Sequence, residues 1–142
     1  MKLKEKCVYF KREARNYIYM QKMIPILEEE IEELRSEMTG ISSPAFKEVL
    51  IENAGDPYKD KKLAMIVEIS RKEEEKKSFE IRTKWIDAVF DGMEEKKRNI
   101  AFSILVLGAN AENVAFNEGY SKQNIYKIID SAIKKSILKT KV

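Results

Sequence analysis

The sequence predicts an all-α protein. Only 5 Gly and 3 Pro occur in 142 residues, which favours long helices over a turn-rich β fold. Apolar residues make up 44% of the chain and charged residues 36%, a mixture too apolar for an obligately disordered protein and too charged for a membrane protein. Apolar positions also recur at helical spacing. We expect a long helical hairpin or coiled coil in residues 1–92 and a small helical domain in residues 93–142.

The residues that the chain lacks exclude several kinds of site. There is no His, so a Ser-His-Asp triad and a histidine metal site are impossible. The single Cys7 can close no internal disulfide and suits a reducing compartment. The longest uncharged stretch, residues 99–111, is shorter than the roughly 20 apolar residues of a membrane span. We expect a cytoplasmic protein that is not an enzyme, uses no cofactor or metal and contacts no membrane.

The first long helix has a regular apolar pattern from Tyr17 onward. Apolar residues recur at alternating intervals of three and four, the spacing of a coiled-coil seam: Tyr17, Met20, Ile24, Leu27, Ile31, Leu34 and Met38. Five glutamates within residues 28–33 should face a basic neighbour, because like charges along one helix repel each other. Pro25 lacks an amide hydrogen, so we expect a kink or a break there. Gly40 is expected to end the helix in the left-handed conformation.

A second long helix is predicted after a connector of residues 39–56. Within the connector, Ser43-Pro44 could start a short helix or belong to an ordered loop. Asp56-Pro57 provides an acidic cap and a proline at the first helical position, and the helix continues to about Asp91. Folding back at the connector would bring the glutamate block near Arg71, Lys72, Lys76 and Lys77. The same seam also allows a homodimeric coiled coil, and the spacing does not separate the two arrangements.

Three shorter helices are expected in the C-terminal domain: residues 96–107, 111–117 and 122–138. Asp91-Gly92 is the expected hinge into this domain. Asn110 and Ser121 are suitable N-terminal caps for the second and third of these helices. Gly119 lies between the two helices, where the chain needs a positive φ. A short helix, a glycine turn and a longer helix form a helix-turn-helix.

The packing of this helix-turn-helix is also predicted from side-chain size. Ala115 is small enough to let its two helices cross closely. Apolar side chains should seal them together: Val114, Tyr120, Ile125 and Ile128. Glu118 stands where an apolar residue usually packs, and Phe116 is expected to compensate in part.

The third helix carries the candidate functional residues. If its isoleucines face the core, helical geometry turns its polar side chains outward. Gln and Asn can bind adenine edges bidentately, and Lys can reach guanine or phosphate. The candidate DNA-binding residues are Lys122, Gln123, Asn124, Tyr126, Lys127 and Lys134. Residues 93–142 hold nine basic against five acidic residues, whereas residues 1–92 are nearly balanced, which makes double-stranded DNA the expected partner. The alternative is a three-helix bundle whose polar face binds nothing.

The segment from Gly119 to Lys127, GYSKQNIYK, resembles the "gYS…vYr" element of phage-encoded, sigma-factor-like transcription regulators of the ArpU/RinA type. Residues 30–35 (EIEELR) and residues 42–49 (SSPAFKEV) resemble two further elements of those proteins, in the same order. The resemblance implies a C-terminal domain similar to the promoter-reading region of sigma factors. It also implies regulation of phage or mobile-element genes through promoter DNA and RNA polymerase.

The resemblance further divides the candidate residues by role. It implies that Gln123, Asn124 and Lys127 read bases, and that Lys122 and Lys134 lie toward phosphates. Two other functions stay open from the sequence. One is a DNA-binding packaging component such as a small terminase subunit, which would form a ring-like oligomer. The other is a coiled-coil protein-interaction module that does not bind DNA.

Overall fold

The computed structural model describes residues 1–41 and 57–140, which form six α-helices and no strand. The helices are α1 (Leu3–Arg15), α2 (Tyr17–Ile41), α3 (Pro57–Asp91), α4 (Glu95–Leu105), α5 (Ala111–Glu118) and α6 (Lys122–Lys139). The all-α prediction is confirmed, and α3 begins at the predicted proline. Most of the predicted connector, including Ser43-Pro44 and the Asp56 cap, lies outside the described residues.

The described residues divide into two compact units. One unit comprises residues 1–21 and 81–140, and the other comprises residues 22–41 and 57–80. Helix α1 and the end of α3 therefore belong with the three C-terminal helices. The division at residues 92 and 93 stays a prediction about domains.

Within residues 22–80, α2 and α3 pair as an antiparallel hairpin of a single chain. The Nζ of Lys76 lies 2.7 Å from Glu28 Oε1, and Lys72 forms an ion pair with Glu30. Residue numbers thus rise along α2 as they fall along α3. The predicted charge match is confirmed for these two lysines, whereas Arg71 pairs within its own helix. These pairs fix the register in which the two helices face each other.

One expectation about the path of α2 is wrong: the helix does not end at Gly40 but continues to Ile41. At Pro25, where a kink or a break is expected, the helix does not break, and the kink stays a prediction. Gly40 is not among the glycines with positive φ. Proline removes one helical hydrogen bond at a cost of roughly 3 kcal/mol, but burial of Leu27 and Ile31 in the next two turns offsets this cost. Glycine also accepts the right-handed helical conformation, about 1 kcal/mol less favourably than alanine.

The other unit is built around α6, which packs against α1, α4 and α5. Its largest fully buried apolar side chains come from distant parts of the chain: Phe10, Met20, Ile86, Val89, Ile125, Ile129 and Ile133. The ring of Phe90 contacts those of Phe10 and Phe102 edge-on, at centroid distances of 5.2 and 5.4 Å. The spacing of apolar residues predicts neither that α1 ends at Asn16 nor that α1 packs against α6.

A charged pair joins α1 to the end of α3. The Glu13 side chain is buried, with 4% of the residue exposed. Arg82 donates hydrogen bonds from Nε and Nη2 to the two carboxylate oxygens of Glu13, at 2.6 and 2.8 Å. This contact holds the pKa of the Arg82 guanidinium above its ordinary value. The bidentate geometry is the arrangement that compensates a buried carboxylate.

The turn after α3 is fixed by a close approach to α6. Ser136 is fully buried and donates a hydrogen bond to the carbonyl oxygen of Val89. A Cβ on Gly92 would lie closer to Ser136 Oγ than real Cβ atoms come to other atoms. The φ of Gly92 is not positive, so this position needs a glycine for space and not for backbone conformation.

We expect Gly92→Ala to lower the free energy of unfolding by about 1–3 kcal/mol, because the added methyl group overpacks the contact with Ser136. Urea denaturation measures the change. In a Ser136→Ala background the obstructing oxygen is absent, so the same Gly92→Ala substitution should cost much less. An equal cost in both backgrounds would contradict the steric explanation.

Candidate nucleic-acid interface

Helices α5 and α6 each begin at the predicted cap. The Asn110 side chain accepts a hydrogen bond from the Glu112 amide at 2.8 Å. The Ser121 side chain accepts one from the Asn124 amide at 3.1 Å. Each cap satisfies one of the amide donors that a helix leaves unpaired at its start. Both cap predictions are confirmed.

The turn between α5 and α6 has the predicted left-handed glycine. Gly119 has φ 76° and ψ 27°, and the next amide, of Tyr120, donates to the Ala115 carbonyl at 2.9 Å. Ala115 itself is buried, as a close helix crossing requires. Because α5 packs on α6 across this turn, the two form the predicted helix-turn-helix.

Helix α6 has an apolar inner face and a polar outer face. Ile125, Ile129 and Ala132 are buried as predicted, and Ile128 is half-buried. All six candidate DNA-binding residues are exposed: Lys122, Gln123, Asn124, Tyr126, Lys127 and Lys134. Helix α1 packs against α6 without covering these side chains.

Several of the candidates lie in one row along α6. Gln123, Lys127 and Lys134 are separated by four and then seven residues, so helical geometry aligns them, and Asp130 falls between the two lysines. Lys127, Asp130 and Lys134 line a shallow groove of about 430 Å³. Ser131, Lys135 and Leu138 complete its lining. Lys122, Asn124 and Tyr126 lie beside this row at the start of the helix.

Two glutamates of α5 are held in ion pairs with lysines. Lys122 Nζ lies 3.5 Å from Glu112 Oε1, and Lys96 Nζ lies 3.9 Å from Glu118 Oε2. Lys96 also donates a hydrogen bond to the Tyr120 hydroxyl at 3.3 Å, and this bond raises the pKa of Lys96. Glu118 is therefore an exposed, paired residue and not a buried charge in the turn.

The expectation that Phe116 packs in place of an apolar residue at position 118 is wrong. Phe116 is 87% exposed. The inner face of α5 is formed by Ala111 and Ala115, and the residue that follows Ala115 projects about 100° away from it. The two alanines leave little space beneath α5, so the turn closes without a large side chain.

Helix α1 adds charged and polar groups beside α6 that the sequence does not place there. Lys11 Nζ lies 2.5 Å from Asp130 Oδ1. Cys7 is buried on the same helix, and burial raises the pKa of its thiol against the lowering effect of the nearby Lys134 and Lys11 charges. The charges of both lysines therefore act on one thiol, although 123 positions separate the two residues in the sequence.

Among the described residues, no helix combines the length and the apolar character that crossing a membrane requires.

Comparison with known proteins identifies no family for this chain. No family model, curated protein or solved structure matches the chain.

Proposed function

We propose that this protein is a sequence-specific DNA-binding regulator of transcription, and that α6 reads the major groove of duplex DNA. One observation supports the proposal above the others. The first two turns of α6 present two amide and two lysine side chains to solvent, on a helix-turn-helix whose turn and caps are in place.

The chemistry of this face suits base recognition. An α-helix fits the major groove, where Gln123 and Asn124 can each pair bidentately with an adenine and Lys127 can reach guanine. The first turn of α6 carries no acidic residue, and a helix N-terminus attracts phosphate through its free amides. Lys122 and Lys134 are suited to phosphate contacts on either side of the bases.

The resemblance to ArpU/RinA-type regulators indicates which genes the protein would regulate and with which partner. It supports a role at promoters of phage or mobile-element genes, with RNA polymerase as a protein partner in the cytoplasm.

The test of the proposed function is to select bound duplexes from a random pool and to map the sites that the protein occupies on a genome. Recovery of one discrete motif upstream of genes would support the proposal, and recovery of unselected sequences would defeat it.

A second copy of the chain is a further proposed partner. Leu63, Ile66 and Val67 are exposed on α3, and their spacing places them side by side on one face of the helix. A contiguous exposed apolar surface favours self-association, and a dimer would double the number of base pairs read. The same surface also favours the alternative of a packaging component. Sedimentation separates the two, since a regulator is expected as a dimer and a packaging component as a ring-like oligomer.

Lys134→Ala should weaken binding to the selected site and to random DNA by the same factor, roughly fivefold at 0.15 M salt. A lysine on a phosphate releases counterions whatever the base sequence, so the slope of log K against log salt should fall by about 0.9. Fluorescence anisotropy titrations over a salt series measure both quantities. Lys61→Ala removes the same charge from an exposed position on α3 and is the control. A loss confined to the selected site would contradict a phosphate role.

A further inference from the structure

We infer that Lys11 of α1 is part of the DNA-binding surface of α6, where it neutralises a carboxylate that would otherwise repel phosphates. That carboxylate belongs to Asp130. The inference rests on the proposed function and adds a residue that lies 119 positions before Asp130 in the sequence. It assigns to α1 an electrostatic role in binding the phosphate backbone of duplex DNA.

Asp130 occupies an unfavourable position for a DNA-binding helix. It is the sole acidic residue between Tyr120 and Val142, a segment that holds six lysines. It lies in the row of Gln123, Lys127 and Lys134, and its side chain is 49% exposed. A phosphate that approached Lys127 or Lys134 would therefore also approach a negative charge.

Lys11 neutralises the negative charge of Asp130. Its Nζ lies 2.5 Å from Asp130 Oδ1, and 35% of its own side chain stays exposed, so the pair lies at the surface beside the groove. Without Lys11, the charges of Lys127, Asp130 and Lys134 sum to +1, and with Lys11 the sum is +2. The ion pair thus converts a row interrupted by a negative charge into a continuous basic surface.

Holding α1 in place does not require this pair. Half-exposed ion pairs contribute about 0–1 kcal/mol to stability. By contrast, α1 buries Phe10 and Ala14 completely and anchors Glu13 to Arg82. Substitution of Lys11 should therefore leave the fold intact, and its effect should appear in DNA binding.

The experiment measures the affinity of Lys11→Ala, Asp130→Asn and the double variant for duplex DNA at 0.15 M salt, with thermal melting to check the fold. Because each unit of charge next to the phosphates contributes about 0.9 to the salt slope, Lys11→Ala should bind roughly fivefold more weakly. Asp130→Asn should bind roughly fivefold more tightly. The double variant should return to the affinity of the unmodified chain.

The matched control is Arg12→Ala. It removes one positive charge from the neighbouring position of α1, where the exposed Arg12 lines a different groove with Lys4 and Tyr9. Its effect on affinity should be much smaller than that of Lys11→Ala. An equal effect of the two substitutions would overturn the inference, as would an Asp130→Asn variant with unchanged affinity. Failure of the unmodified chain to bind duplex DNA would instead overturn the proposed function.

Discussion

Arg82→Ala is expected to lower the free energy of unfolding by about 3 kcal/mol. The substitution leaves the carboxylate of Glu13 buried without the two hydrogen bonds that now compensate its charge. Removing one partner of a buried pair typically costs about 3–5 kcal/mol, and the lower end applies because Arg82 is itself about one-third exposed. Urea denaturation followed by circular dichroism measures the loss.

Two further variants separate the loss of the pair from a general weakening of α3. Lys84→Ala truncates an exposed basic side chain two positions away and should change stability by less than about 0.5 kcal/mol. The double variant Glu13→Leu, Arg82→Leu removes both charges together and should recover most of the stability, because no unpaired carboxylate is left. If the double variant were as unstable as Arg82→Ala, an uncompensated Glu13 would not be the cause.

The second large effect is a loss of affinity for the selected DNA site, expected when Gln123→Ala is combined with Asn124→Ala. Each bidentate contact between a side chain and a base contributes about 1–3 kcal/mol to discrimination, so the double variant should lose about 2–6 kcal/mol at the selected site. Its affinity for random DNA should hardly change, because phosphate contacts account for that affinity. Parallel titrations with the selected and a scrambled duplex measure the ratio.

The two substitutions should leave the fold of α6 unchanged. The Ser121 cap accepts its hydrogen bond from the backbone amide of Asn124, so alanine at position 124 keeps the cap. Both side chains are exposed, and the core of α6 is untouched. Asn99→Ala on the exposed face of α4 is the control for loss of an amide side chain. A uniform loss on both duplexes would show that these residues do not read bases.

Local chemistry accounts for the features that the sequence predicts correctly. Pro57, Asn110, Gly119 and Ser121 each constrain the backbone through their own side chain or its absence, so helix starts and the turn follow from a few neighbouring residues. The outward face of α6 follows equally from spacing, because the buried isoleucines fix the rotation of the helix.

Features that depend on distant residues could not be predicted in this way. Whether α2 continues through Pro25 depends on packing that the proline itself does not reveal. The exposure of Phe116 depends on how closely the two alanine-lined faces approach. The contact of Lys11 with Asp130 joins residues 119 positions apart, and nothing in the pattern around Lys11 distinguishes it from the other basic residues of α1.

The discontinuous make-up of the unit that carries α6 has a consequence for biosynthesis. Residues 22–80 are contiguous, so their hairpin can pair while later residues are still being translated. The core around α6 needs Phe10 and Glu13 together with Arg82 and Ile133. We therefore expect α1 to remain unpacked on the nascent chain until α6 has emerged from the ribosome. In that interval its apolar face is open to chaperones, and competence to bind a ligand on α6 is acquired only after α6 itself has been synthesised.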